Sequence, residues 1–162
     1  MRKILLVIII VLIITTGCAL SNNPNSRVEE LLGKYQGLDN SIIISPSILA
    51  NDNNLNINLD KKYSDIIKKQ YQNMVYEIKD TKEDGDNAVV TAEIEVMNYK
   101  KIINNMSGDV SEEYHNRLIN KLRDVRDKVT YTIDFKLTKD NDGNWKVESL
   151  TNDMENKLLG IY

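Results

Sequence analysis

The chain has 162 residues, a formal net charge of −3 and a single cysteine. That length suits one ordinary domain, and a mildly acidic balance argues against a nucleic-acid partner and against electrostatic attachment to anionic lipid. One cysteine excludes an internal disulfide, so the folded part must hold together by packing.

Arg2 and Lys3 open the chain, the apolar run from Ile4 to Ile14 follows, and Thr15, Thr16 and Gly17 lead to Cys18. A positive start, an apolar middle and a small-residue end are the order of a secretory signal peptide. A spanning helix needs roughly 20 apolar residues, about twice what this run offers. A leader over residues 1–17 is therefore expected, not a permanent span. Thr15-Thr16-Gly17-Cys18 resembles the lipobox of bacterial lipoproteins, although that family usually has Leu where Thr15 stands. The resemblance implies cleavage before Cys18 and a diacylglycerol on its thiol. The membrane partner would be reached through this anchor, on the outer face of the cell envelope. Two acyl chains, each gaining ~0.8 kcal/mol per buried CH₂, anchor stably where one does not. Residues 18–26, with Ser21, Asn22, Asn23, Pro24 and Asn25, are polar and aperiodic and read as a flexible tether. The folded domain is expected over 27–162.

Ser26-x-x-Glu29 reads as a capping box opening a helix over 27–38, with Gly37 as its left-handed end. Ser45-Pro46 suggests a short helix near 46–51. Leu59, Tyr63, Ile66, Ile67, Gln70 and Met74 then mark a strong helix over about 60–73, with Lys61, Lys62, Lys68 and Lys69 on its solvated face. The period next changes to two. Met74, Tyr76 and Ile78, the turn Asp84-Gly85-Asp86, and Ala88 through Val96 make a hairpin with one apolar face. A helix begins at Ser111 and carries Tyr114, Leu118, Leu122 and Val125 on one side. A second hairpin follows, with Val129, Tyr131, Ile133, Phe135 and Leu137 inward, Asp140-Asn141-Asp142-Gly143 at the turn, and Trp145 and Val147 returning. A short helix over 152–159 closes at Gly160. The order predicts an α+β fold: a curved antiparallel sheet of about four strands with helices on one side.

The segments KVTYTIDFKLTKDNDGNWKVESL, ENKLLGIY and KKQYQNMVYEIKDTKEDGDNAVVTAEIEV are similar to those of uncharacterised lipoproteins of Gram-positive bacteria. The element order resembles the cone-shaped nuclear-transport-factor-two-like superfamily. That resemblance implies a cone whose interior can hold a ligand, and it transfers no catalytic motif.

No catalytic constellation stands out. His115, the sole histidine, sits one residue past Tyr114 and reads as a surface or boundary residue. A lone histidine without cysteine partners does not make a zinc site. Asp134 falls on a polar strand face, and Asp140-Asn141-Asp142-Gly143 lacks the Glu and length of a calcium loop. No phosphate loop, nucleophile elbow or dinucleotide fingerprint is present, so no cofactor or metal is called for. The inward aromatics Tyr76, Tyr131, Phe135 and Trp145 read as core, or as the lining of a hydroxyl-bearing apolar pocket. The expectation is a non-catalytic binding or interaction module at the cell envelope. The alternatives are an isomerase- or dehydratase-type enzyme using the cone, and a structural accessory of an envelope complex.

Overall fold

The computed structural model describes residues 22–162. The leader, Cys18 and the start of the tether lie outside the described residues. In chain order the elements are α1 (Pro24–Gly37), α2 (Pro46–Ala50), α3 (Ile57–Gln72), β1 (Val75–Asp84), β2 (Asn87–Met97), α4 (Tyr99–Asn104), α5 (Glu112–Asp124), β3 (Lys128–Lys139), β4 (Trp145–Val147) and α6 (Asn152–Leu159).

The four strands form one open antiparallel sheet in the order β1-β2-β3-β4. β2 and β3 pair along their whole length, from Asn87 opposite Thr138 to Met97 opposite Lys128. Strict alternation buries Ala88, Val90, Ala92, Ile94 and Val96 on β2, and Ile133, Phe135 and Leu137 on β3. All of these are apolar, and helices pack against β1, β2, β3 and β4 to cover that face. The opposite face is a lattice of cross-strand polar pairs: Lys79 with Glu93, Lys128 with Glu95, and the Thr91 hydroxyl donating to Asp134. Asp134 is thus the exposed cross-strand charge its position implies.

One irregularity corrects the period in β1. Ile78 faces Ala92, but the next pair is Asp80 with Thr91, so Lys79 is the extra residue of a bulge. Unbroken alternation would turn Asp80 inward. The bulge turns it out and brings in Thr81, whose hydroxyl donates to the Asn25 side chain on α1.

The N-terminal boundary differs from the sequence expectation. α1 begins at Pro24, and Asn23 caps it by accepting from the Ser26 amide at 2.8 Å. Ser26 is therefore inside the first turn and caps nothing, so the box with Glu29 does not form. Asn at the cap followed by Pro at the first helical position is the stronger signal, because Pro has its φ already set and no N–H to satisfy. Nor are residues 22–26 a free tether. The Asn22 amide donates to Gly143 O and accepts from the Trp145 N–H, both at 3.1 Å, clasping the chain to the start of β4. At the other end the left-handed residue is Leu38, at φ 53, rather than Gly37. Its side chain packs against the core, which offsets the backbone cost.

α2, α3, α5 and α6 form where their patterns place them, with Asn56, Ser111 and Thr151 as side-chain caps of α3, α5 and α6. α4 was not read from the sequence. It is a single short helix capped by Asn98, which buries Tyr99 and packs against α5. Buried Gln70 ties three elements together. Its amide donates to the carbonyls of Met97 and Leu159, each at 2.9 Å, and accepts from the Met97 N–H. Gly160 makes this approach possible: a Cβ there would lie 2.0 Å from Met97 O.

Candidate functional site

The four aromatics expected to line a pocket are not gathered. Tyr76 and Tyr131 flank Ile94 in one cross-strand row, Phe135 faces Val90, and Trp145 faces Lys139. Tyr131 and Lys139 are separated by about 26 Å along β3, at ~3.3 Å per residue. Phe135 is completely buried, as core. Trp145 is buried beside α1 with the Lys139 ammonium over its ring. The Tyr131 hydroxyl donates to the Tyr162 carbonyl. These residues build and close the sheet.

A hydroxyl-bearing hollow with apolar walls does exist, but in the helical layer, where exposed Ile43 and Ile48 open it to solvent. It holds about 220 Å³ and lies between α1, α3, α6 and the segment running into α2. Its apolar walls are Ile43, Ile48, Ile67 and Leu159. Its polar groups are Tyr35 from α1, Tyr71 from α3, Ser45 and Glu155 from α6. Helical spacing puts each of the two tyrosines on a buried stripe, Tyr35 with Val28 and Leu32, Tyr71 with Tyr63 and Ile67. The rings meet edge to face with centroids 4.9 Å apart, a contact worth ~0.5–1.5 kcal/mol beyond area.

What distinguishes this cavity is its unspent polar capacity. The rings of Tyr35 and Tyr71 are buried, while their hydroxyls reach the solvent-open space of the cavity and have no hydrogen-bond partner among the described residues. Ser45 precedes α2 without capping it through its side chain. Glu155 makes no ion pair among the described residues and is half-buried. Its charge reaches both phenols. Burial first, then the Glu155 carboxylate, pushes the Tyr35 phenol up to about 12. Burial, Tyr35 and Glu155 raise Tyr71 further still. Both phenols are therefore neutral donor–acceptors at ordinary pH. Three hydroxyls and a carboxylate lining one hollow with apolar walls make it the candidate site for a small ligand.

His115 corrects a second expectation. It is 3 % exposed, not a surface residue. Positions 115, 118, 119 and 122 share one helical face, and His115 leads that stripe instead of lying beside it. Its Nδ1 meets the Tyr63 hydroxyl at 3.0 Å, and its Nε2 meets Asp52 Oδ2 at 3.2 Å. One neutral tautomer satisfies all three: Tyr63 donates to Nδ1, and Nε2–H donates to the carboxylate. Asp52 Oδ1 also accepts from the Asn54 amide at 2.8 Å. The relay fastens the α2–α3 connection onto α5. Tyr63 is fully buried and both ring nitrogens are occupied, so it offers no free atom to a substrate.

A second cavity, about 260 Å³, lies where the C-terminal ends of α3 and α5 meet the end of β2. Lys69, Arg123 and Arg126 stand at its rim. Arg126 donates to the carbonyls of Arg123 and Val125, so it caps α5. Cations at helix C-termini complement the macrodipole, which accounts for them without a ligand. Among the described residues no group of His, Cys, Asp or Glu could hold a metal ion, and no helix is long and apolar enough to cross a membrane. No family model, curated protein or solved structure matches the chain.

Proposed function

We propose that the protein is an exported, lipid-anchored binding module at the outer face of the cell envelope, and that the cavity between Tyr35, Tyr71 and Glu155 is its binding site. The reading is non-catalytic. The observation that carries it is the pair of tyrosine hydroxyls that line one cavity beside Glu155 and have no hydrogen-bond partner among the described residues. The anchor part rests on the leader pattern and on Thr16-Gly17-Cys18. The finer fold assignment, a cone of the nuclear-transport-factor-two-like kind in a lipoprotein family of Gram-positive bacteria, belongs to the same proposal. Support for it comes from helices gathered on one face of an antiparallel sheet and a bulge in β1.

Two measurements test this reading. Mass spectrometry of the membrane form is expected to show a lipid-modified Cys18 at the N-terminus, and Cys18→Ala is expected to release the protein from the membrane. An unmodified Cys18 in a chain still carrying Met1 sinks the anchor. For the cavity, n-butanol titrated into the protein is expected to give saturable NMR shifts at Ile67, Tyr71 and Leu159. Absence of saturable shifts there for n-butanol and for its amine and carboxylate counterparts sinks the site. The competing enzyme reading would need the Tyr63–His115–Asp52 relay to reach a substrate, and the burial of Tyr63 argues against it.

A further inference from the structure

We infer that the cavity takes the positively charged head of a small organic amine, an alkylammonium group on a short apolar body. This rests on the cavity being a binding site, as proposed above. Among the described residues Glu155 is the one charged side chain that lines it, and no described Lys or Arg does. This carboxylate is half-buried, lines a hollow with apolar walls and has no counter-charge among the described residues. A ligand N–H₃⁺ supplies that charge, and its remaining hydrogens have acceptors in the phenol oxygens of Tyr35 and Tyr71 and in Ser45. The edge-to-face arrangement of the two rings adds the face of an aromatic ring, which attracts cations.

The alternatives fit less well. An anionic head would meet Glu155 with nothing to offset the repulsion. A neutral head would leave the carboxylate unpaired. A hard metal cation takes six or more oxygen ligands, and this cavity offers one carboxylate and hydroxyls that stay protonated. The apolar part of the ligand is short, because about 220 Å³ falls below the ~300 Å³ at which drug-sized pockets begin. Ile43, 85 % exposed, and Ile48 would lose water on closing over it.

The test uses the full chain in a neutral, sugar-headed detergent, titrated with n-butylammonium, n-butanol and n-butyrate and followed by calorimetry and NMR. n-Butylammonium is expected to bind about ten- to a hundred-fold tighter than n-butanol, the range of a hydrogen bond to a charged group, with n-butyrate weakest. Glu155→Gln is expected to bring the amine to the level of the alcohol. Tyr71→Phe is expected to weaken the amine by a few-fold and keep its preference over the alcohol. Thermal melting confirms that both variants are folded. Equal binding of amine and alcohol, or an amine affinity indifferent to Glu155→Gln, overturns the cationic ligand and leaves the binding site standing. No saturable binding of any of the three at the cavity overturns both.

Discussion

The sheet and the helical layer share one core but are built from different materials. The buried positions on the inner face of β2 and β3 are all apolar, from Ala88 and Val90 to Ile133, Phe135 and Leu137. The helices that lie on it bring polar groups into the same interior: Gln70 and His115, and the phenols of Tyr35, Tyr63 and Tyr71. Gln70, His115 and Tyr63 are paired, whereas the hydroxyls of Tyr35 and Tyr71 are not. A chain that can place a buried hydroxyl against a histidine, as it does at Tyr63, leaves two others open a few turns away. The sheet is the floor, and the proposed binding site lies in the layer above it.

The strongest way to break this contrast is alkali, which acts on the phenols of the helices and α4. Burial pushes Tyr35 and Tyr99 up to about 12 and raises Tyr63 and Tyr71 further. A phenol whose folded pKa lies above its unfolded value of ~10 favours folding below that value, and the contribution is lost as pH climbs through the folded value. Stability is therefore expected to fall from pH ~10 upward. Tyrosinate absorbance for these four should rise together with loss of near-UV circular dichroism. Their titration near pH 10 in a still-folded domain would contradict the structure.

Next in size, Phe135→Ala removes the centre of the sheet's inner face and is expected to cost ~3–5 kcal/mol in urea unfolding. Gln70→Leu strands the Met97 and Leu159 backbone groups, and ~1–3 kcal/mol of destabilisation is expected. The smallest and sharpest comparison sets two identical substitutions side by side. Tyr63→Phe deletes the hydroxyl that His115 uses and is expected to cost ~0.5–1.5 kcal/mol. Tyr71→Phe deletes a hydroxyl with no partner and is expected to change stability by less than ~0.5 kcal/mol. Equal costs for the two would erase the distinction between a structural hydroxyl and one left for a ligand.

Much of the architecture was legible in the sequence because it depends on local rules. Alternation marked β1, β2 and β3, the Asp84-Gly85-Asp86 turn joined the first pair, and Ser111 and Gly160 bounded α5 and α6. The misses have physical causes. The bulge at Lys79 is invisible to a period, since it shows only against a partner strand. Asn23-Pro24 was passed over because a polar run following a leader reads as linker, and its order depends on the distant β4. The cavity was hidden for the same reason: Tyr35, Tyr71 and Glu155 come from three helices, and only packing brings them together. A signal did exist, in the aromatic residues with polar tips on otherwise aliphatic helical stripes. His115 carried that signal too, leading the stripe of Leu118, Ile119 and Leu122.

The Asn22 clasp has a consequence for how the protein would meet its ligand. If Cys18 is lipidated as proposed, four residues from Cys18 to Asn22 would span at most ~14 Å, which would moor the fold close to the headgroups. α1 then carries Tyr35 up to roughly 18 Å from the clasp, at ~1.5 Å per residue. A domain so anchored would not sweep a wide volume in search of a ligand. It would sample a thin layer above the bilayer while drifting in the membrane plane, with the length of a rigid helix setting the scale of that layer.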